Sequence, residues 1–198
     1  MAEACSLVLA SASPRRHEIL TTLGIDVEVM PTDADEESVQ LSDHVSFARE
    51  AARLKLRSAL ARKELGGRFV LSADTIVCVD DERLGKPRDE DEAVEMLRRL
   101  SGRDHLVRTA VALGRGGAGE LDCRVVETRV WFRALDAQAL RRYVHRGESL
   151  DKAGAYGVQG AAAGFVRRLD GSYSNVVGLP AAEVVELLVH HGVIERWP

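Results

Sequence analysis

The chain of 198 residues is 45% hydrophobic and 29% charged. That balance supports one core, compact or drawn out into two lobes, and excludes a fibrous or disordered polymer. Its 27 basic and 31 acidic side chains leave a formal net charge of −4, so no global positive field favours nucleic acid or an anionic membrane as partner. Aromatic residues make up 5% of the chain, too few for a basic stripe interleaved with stacking rings. A polyanionic ligand must therefore be met by a local cluster of cations.

Cys5, Cys78 and Cys123 are scattered and odd in number, a usage that suggests neither a disulfide framework nor a zinc cage and fits a reducing cytoplasm. The opening MAEACSLVLASASPRR has no early basic segment, and its apolar run is too short for a signal-peptide core or a membrane span. A cytoplasmic protein free of membrane is expected.

Cys5 to Ala10 reads as a short buried strand, after which Ser13-Pro14 supplies an N-cap and a proline suited to the first helical position. Ile19, Leu20 and Leu23 share one face of that helix, Gly24 closes it, and Ile25 to Met30 reads as a second strand. Ser42 and Asp43 are placed to cap a long helix reaching about Leu65, with Val45, Ala48, Ala52 and Leu56 inward and Lys55 beside that stripe. Phe69–Ala73 and Ile76–Val79 read as two deep strands interrupted at Asp74-Thr75.

Asp89 caps a further helix whose Ala93, Met96, Leu97 and Leu100 face inward. Leu106–Leu113 and Arg124–Phe132 read as a hairpin across the glycine-rich segment from Gly114 to Gly119, which opens no helix and so is no nucleotide loop. A helix over Asp136–His145, a strand over Gly164–Leu169 and a closing helix from Pro180 to His190 complete the pattern. Strands interleaved with helices, one pair of them a hairpin, predict an α/β fold with a mixed sheet in a single domain spanning residues 1–198.

Four segments carry candidate chemistry. Ser11-Ala12-Ser13-Pro14-Arg15-Arg16 lies where a strand gives way to a helix, a place where free N–H groups, hydroxyls and guanidiniums can cradle a phosphate. It can equally be a capped helix with two solvated arginines. Asp74 sits inside an apolar stretch, where an unpaired carboxylate costs several kcal/mol, so a cation, a metal or a set of donors must be near it. It is either a general base or metal ligand, or a helix cap or half of a structural ion pair.

Gly85-Lys86-Pro87 holds a lysine between a permissive and a rigid residue, as an ordinary turn also does. The run from Asp151 to Gly160, DKAGAYGVQG, packs three glycines and two alanines into ten residues, which suits a loop wrapping a flat ligand. Within it Gln159 offers an amide carbonyl and an NH2 group. Glu36, in an acidic loop, and Lys55 read as solvated and snorkelling side chains on spacing alone. His17 and His105 have no acidic partner at triad spacing and read as structural.

Read together, SASPRR, SADTIV, GKP, DKAGAYGVQG and GSYSNVVGLP resemble, in order, the motifs of the Maf family of nucleoside triphosphate pyrophosphatases, from about Leu7 to Leu188. The resemblance implies an elongated mixed β-sheet flanked by helices, like the inosine triphosphatase group, with a central cleft. It also implies a homodimeric enzyme that needs a divalent cation (Mg, Mn or Co) and splits a nucleoside triphosphate into monophosphate and pyrophosphate. The DKAGAYGVQG loop resembles the branch acting on dTTP and UTP. The alternatives are the branch acting on 7-methyl-GTP, and a non-catalytic nucleotide-binding regulator of cell division.

By the same likeness Asp74 matches the proton acceptor and a metal ligand, with Glu36 the second ligand. Ser11, Arg15, Arg16, Lys55, Thr75, Lys86 and Gln159 match substrate-binding positions, Arg15, Thr75 and Gln159 being those associated with substrate choice. TDADEES is looser than the family's usual acidic motif at Glu36. Uracil and thymine place an N3–H donor beside an O4 acceptor, which a glutamine amide complements with both its groups. Cytosine suits the flipped amide, so Gln159 discriminates only if the backbone from Tyr156 to Gly160 fixes its orientation.

Overall fold

The structure, a computed structural model, describes residues 7–196. It is a mixed α/β protein built on a seven-stranded sheet flanked by helices. The strands are β1 (Leu7–Leu9), β2 (Glu28–Val29), β3 (Phe69–Val79), β4 (Glu82–Leu84), β5 (Asp104–Arg115), β6 (Gly119–Phe132) and β7 (Val166–Asp170). Six follow the order β2-β1-β3-β5-β6-β7, and β4 pairs with β3. Pairing is parallel between β1 and both β2 and β3, and antiparallel between β3 and β4 and between β6 and β7. The helices are α1 (Pro14–Thr22), α2 (His44–Leu60), α3 (Glu90–Leu100), α4 (Ala137–Val144), α5 (Tyr173–Val177) and α6 (Ala181–His190).

The chain divides into two compact units. Residues 7–74, Thr109–Val126 and 178–196 form the first; Thr75–Arg108 and Glu127–Val177 form the second. In the first, Leu7, Leu9 and Leu71 from the sheet meet Leu20 of α1 and Val184, Leu187 and Leu188 of α6. In the second, α3 packs on α4, burying Leu97, Leu100, Leu140 and Tyr143.

Several sequence expectations needed correction. The predicted strand start at Cys5 lies outside the described residues. The second strand shrinks to Glu28–Val29, because the backbone N–H of Ile25 still bonds Leu20 of α1 and only the stretch leading to Met30 pairs with β1. α2 stops at Leu60, five residues early, and a 3-10 turn over Lys63–Leu65 follows. Nine residues beyond Leu56, an unbroken helix would carry Leu65 about half a turn round to the solvent side; the break lets Leu65 be buried.

β3 runs unbroken through Asp74 and Thr75. Strand alternation gives Ser72 and Asp74 one face and Ala73 and Thr75 the other, so the polar pair interrupts nothing once a helix answers it. Pro180 precedes the last helix as its N-cap, and a further short helix, α5, lies just ahead of it. Asp43, Asp89 and Asp136 each accept a backbone N–H three residues on, at 2.7, 2.8 and 2.7 Å, capping α2, α3 and α4.

Leu20 has no exposed surface, whereas Val29 on the edge strand β2 is 43% exposed. Leu20→Ala is expected to cost about 2–5 kcal/mol, and Val29→Ala less than about 0.5 kcal/mol, both read from urea unfolding midpoints.

Candidate active site

The first unit gathers two carboxylates and two cations around the end of the apolar half of β3. Asp74 is 4% exposed, and its Oδ1 accepts from Lys55 Nζ at 2.8 Å. The same ammonium lies 2.6 Å from Glu36 Oε1 and 3.5 Å from the carbonyl of Ala73. Local sequence explains the placement. Ser72, on the same face of the strand as Asp74, donates its hydroxyl to the carbonyl of Ala52 at 2.8 Å, which seats α2 against β3; Lys55, three residues along α2, then reaches Asp74. Glu36 arrives on a short 3-10 turn, Glu36–Ser38.

Arg16 closes the arrangement from α1. Only 8% exposed, it donates through Nη1 to Ser11 Oγ at 3.0 Å and to the Ala73 carbonyl at 2.8 Å, and through Nε to the Gly178 carbonyl at 2.8 Å. Those bonds tie β1, β3 and the lead into α6 together. The guanidinium is thus anchored to backbone, a bracing role that spacing did not reveal. Ser11 Oγ also accepts the N–H of Ser13 at 3.2 Å. Arg15, on the same turn, is half-buried.

The charges set one another's protonation. Burial by itself would raise the Asp74 carboxyl, but the Lys55 charge, its hydrogen bond and the Arg16 charge outweigh it and hold Asp74 below the usual aspartate range. Glu36 moves the other way: desolvation, then the neighbouring Asp74 charge, raise it against the pull of Lys55. Burial also lowers Arg16, though an arginine stays charged. Two acids shifted in opposite directions and two cations make up the cluster.

Thr75, Lys86 and Gln159 belong to the second unit. Thr75 is half-buried, Lys86 is exposed beside the buried Pro87, and Gln159 is exposed. In the glycine-rich loop, Gly154 N–H donates to the Gly85 carbonyl at 3.1 Å, joining the two motifs that flank these side chains. His105 is buried, with Nε2 2.7 Å from the Tyr156 hydroxyl, a structural placement within the second unit.

No group of three or more His, Cys, Asp or Glu side chains forms a metal cage among the described residues. Glu36 and Asp74 nevertheless suit a hard divalent ion. Such ions take one or two carboxylates and complete their shell from water and phosphate oxygens, and these two carboxylates already converge on one cation, the ammonium of Lys55.

A mixed sheet carrying a buried acid–lysine cluster at the close of a strand, beside a helix start rich in hydroxyls and arginines, defines an α/β protein prepared for a polyanionic ligand. The chain belongs to the Maf family: the family model described as Maf-like protein matches residues 6–191. A dTTP/UTP pyrophosphatase of Geobacter metallireducens is 44% identical over 98% of this chain and 100% of its own length. One from Salmonella typhimurium is 50% identical over 96% of this chain and 94% of its own. Among solved structures, a nucleoside-triphosphatase / dITP/XTP pyrophosphatase of Mycobacterium abscessus aligns at 16% identity and TM-score 0.40, covering 65% of this chain and 75% of the other. No helix is long and apolar enough to cross a membrane among the described residues.

Lys55→Met removes the shared cation from two carboxylates, one of them buried, and is expected to cost about 3–5 kcal/mol in urea unfolding. Replacing Glu36 and Asp74 by Gln and Asn in the same protein should restore much of that loss. Desolvation pushes His105 down to about 4, below its unfolded value of about 6.5. Its contribution to stability is therefore complete above the unfolded value and lost as pH falls from there through about 4. Unfolding midpoints across that window should fall less steeply for His105→Gln than for the wild type.

Proposed function

We propose that the protein hydrolyses dTTP and UTP to their monophosphates and pyrophosphate. The observation that carries this reading is the buried Asp74, ionised and paired with Lys55. The printed activity of relatives 44% and 50% identical over nearly the whole chain supports it. A water in line with the departing pyrophosphate attacks the α-phosphorus; its proton passes to the Asp74 carboxylate, the bond from the α-phosphorus to the bridging oxygen breaks, and pyrophosphate leaves. The reaction is chiefly a matter of positioning and charge neutralisation.

A carboxylate held below its ordinary range is a poor base, so Lys55 has a second task. The incoming triphosphate, with about four negative charges near neutrality, draws the ammonium from Asp74 towards phosphate, and the basicity of Asp74 rises as that bond lengthens. Arg15 and Lys86 add positive charge to the phosphate tail. Arg16 and Ser11 keep the backbone at Ala73 in place, so Arg16 acts on substrate through its field. Glu36 and Asp74 would hold a divalent cation, Mg, Mn or Co, which when bound supplies Lewis-acid neutralisation of the phosphates. Thr75 and Gln159 take part in substrate choice. The protein acts in the cytoplasm without nucleic acid or membrane, a reading supported by the net charge of −4 and the scattered cysteines, and as a homodimer, which the resemblance to the Maf family implies.

The test is pyrophosphate release from dTTP and UTP in the presence of Mg, Mn or Co. Asp74→Asn is expected to lower kcat by about 10²- to 10⁴-fold, and chelation should abolish turnover. An Asp74→Asn enzyme as fast as wild type, or a wild type that binds dTTP and releases no pyrophosphate, would contradict the reading.

A further inference from the structure

Gln159 occupies the third position of a tight turn. Gly160 N–H bonds the Gly157 carbonyl at 3.0 Å, Val158 is buried, and Gln159 is exposed. An exposed glutamine on a mobile turn could present its amide either way round and would accept uracil and cytosine alike. This turn is held at both ends by side chains that the pyrophosphatase chemistry does not use.

At the leading end the Tyr143 hydroxyl accepts the Gly157 N–H at 3.2 Å. At the trailing end Glu148 Oε2 accepts the Ala161 N–H at 3.1 Å. The fit under the second end is close: a Cβ on Gly160 would stand 2.1 Å from that carboxylate oxygen. Lys152 Nζ donates to the Glu148 carbonyl at 2.7 Å, and the lysine stem lies where a side chain on Gly157 would go. The glycines thus make room for the side chains that grip the turn, an explanation of the small-residue run that a wrapping loop alone does not give.

The Tyr143 anchor rests on the core of the second unit. Tyr143 sits on α4, 3% exposed, its ring edge-on to Phe165 at 4.9 Å between centroids. Tyr156, immediately before the turn, is edge-on to Phe132 at 4.9 Å and bonded to His105. Ala155 has a φ of 62°, a conformation rare for a residue with a Cβ and kept only where surroundings dictate it.

We propose that Tyr143 and Glu148 are positioning residues for base selection, fixing the turn so that the Gln159 amide favours uracil and thymine over cytosine. The proposal rests on the dTTP/UTP reading above. Neither residue touches the nucleotide; each acts through a backbone N–H on one side of Gln159.

The test compares kcat/KM for UTP and CTP in wild type, Tyr143→Phe, Glu148→Ala and Glu148→Gln, each also in a Gln159→Ala background, with unfolding midpoints measured alongside. Tyr143→Phe keeps the ring and deletes the acceptor; Glu148→Gln keeps an acceptor and deletes the charge. Tyr143→Phe and Glu148→Ala should each reduce the UTP-to-CTP preference about 3- to 10-fold, the worth of one hydrogen bond. Glu148→Gln should retain most of it. In the Gln159→Ala background the same changes should no longer alter the preference, a non-additivity that a purely structural role would not produce.

Retention of the wild-type preference by Tyr143→Phe and Glu148→Ala overturns the proposal and leaves the pyrophosphatase reading standing. So does an equal effect with and without Gln159. A wild type that turns over UTP and CTP equally overturns the pyrimidine reading and the proposal together. If Tyr143→Phe does not fold, the Glu148 pair decides by the same criteria.

Discussion

A carboxylate placed on the inward face of a buried strand has to be answered by charge. Asp74 is answered by Lys55 from α2, and the architecture of the first unit follows from that need: α2 is seated on β3 through Ser72, Arg16 braces the carbonyl that precedes Asp74, and Glu36 shares the lysine from a neighbouring turn. The cost of desolvating such a group is several kcal/mol, more than most single contacts return, so the cluster is a poor device for stability alone. Its arrangement makes sense for a ligand that brings negative charge and takes the lysine for itself.

The residues proposed for the chemistry are divided between the two units of the chain. The first holds the acid, the shared lysine and the helix start with its hydroxyls; the second holds Thr75, Lys86 and the turn bearing Gln159. Each is organised by its own interior. In the first an aliphatic core carries the ionic cluster, and in the second Phe132, Tyr143, Tyr156, Phe165 and His105 meet edge to face.

Much of this was legible in the sequence. Asp43, Asp89 and Asp136 marked helix starts correctly because a cap is a local interaction, settled within one turn, and Ser13-Pro14 marked the start of α1 through the fixed φ of a proline at its first position, since Ser13 makes no side-chain cap bond. The apolar setting of Asp74 required a cation, a metal or a set of donors, and a cation is there. What escaped was set by tertiary contact. The break in α2 before Leu65 depends on where the core lies, the continuity of β3 through Asp74-Thr75 depends on a helix opposite, and the anchoring of Arg16 depends on carbonyls distant in sequence. Tyr143 and Glu148 carried no signal at all, since a tyrosine on an amphipathic helix and a glutamate before a loop are ordinary residues until the turn they hold is seen.

The electrostatic division within the cluster is open to direct observation. Carbon-13 NMR titration of the side-chain carboxyls in the metal-free protein reads each acid separately. Asp74 should titrate below the usual aspartate range and Glu36 above the usual glutamate range, the two responding to one another. If both titrate independently at their ordinary values, the shared lysine does not govern the site, and the account of Asp74 as a buried base released by an incoming triphosphate is wrong.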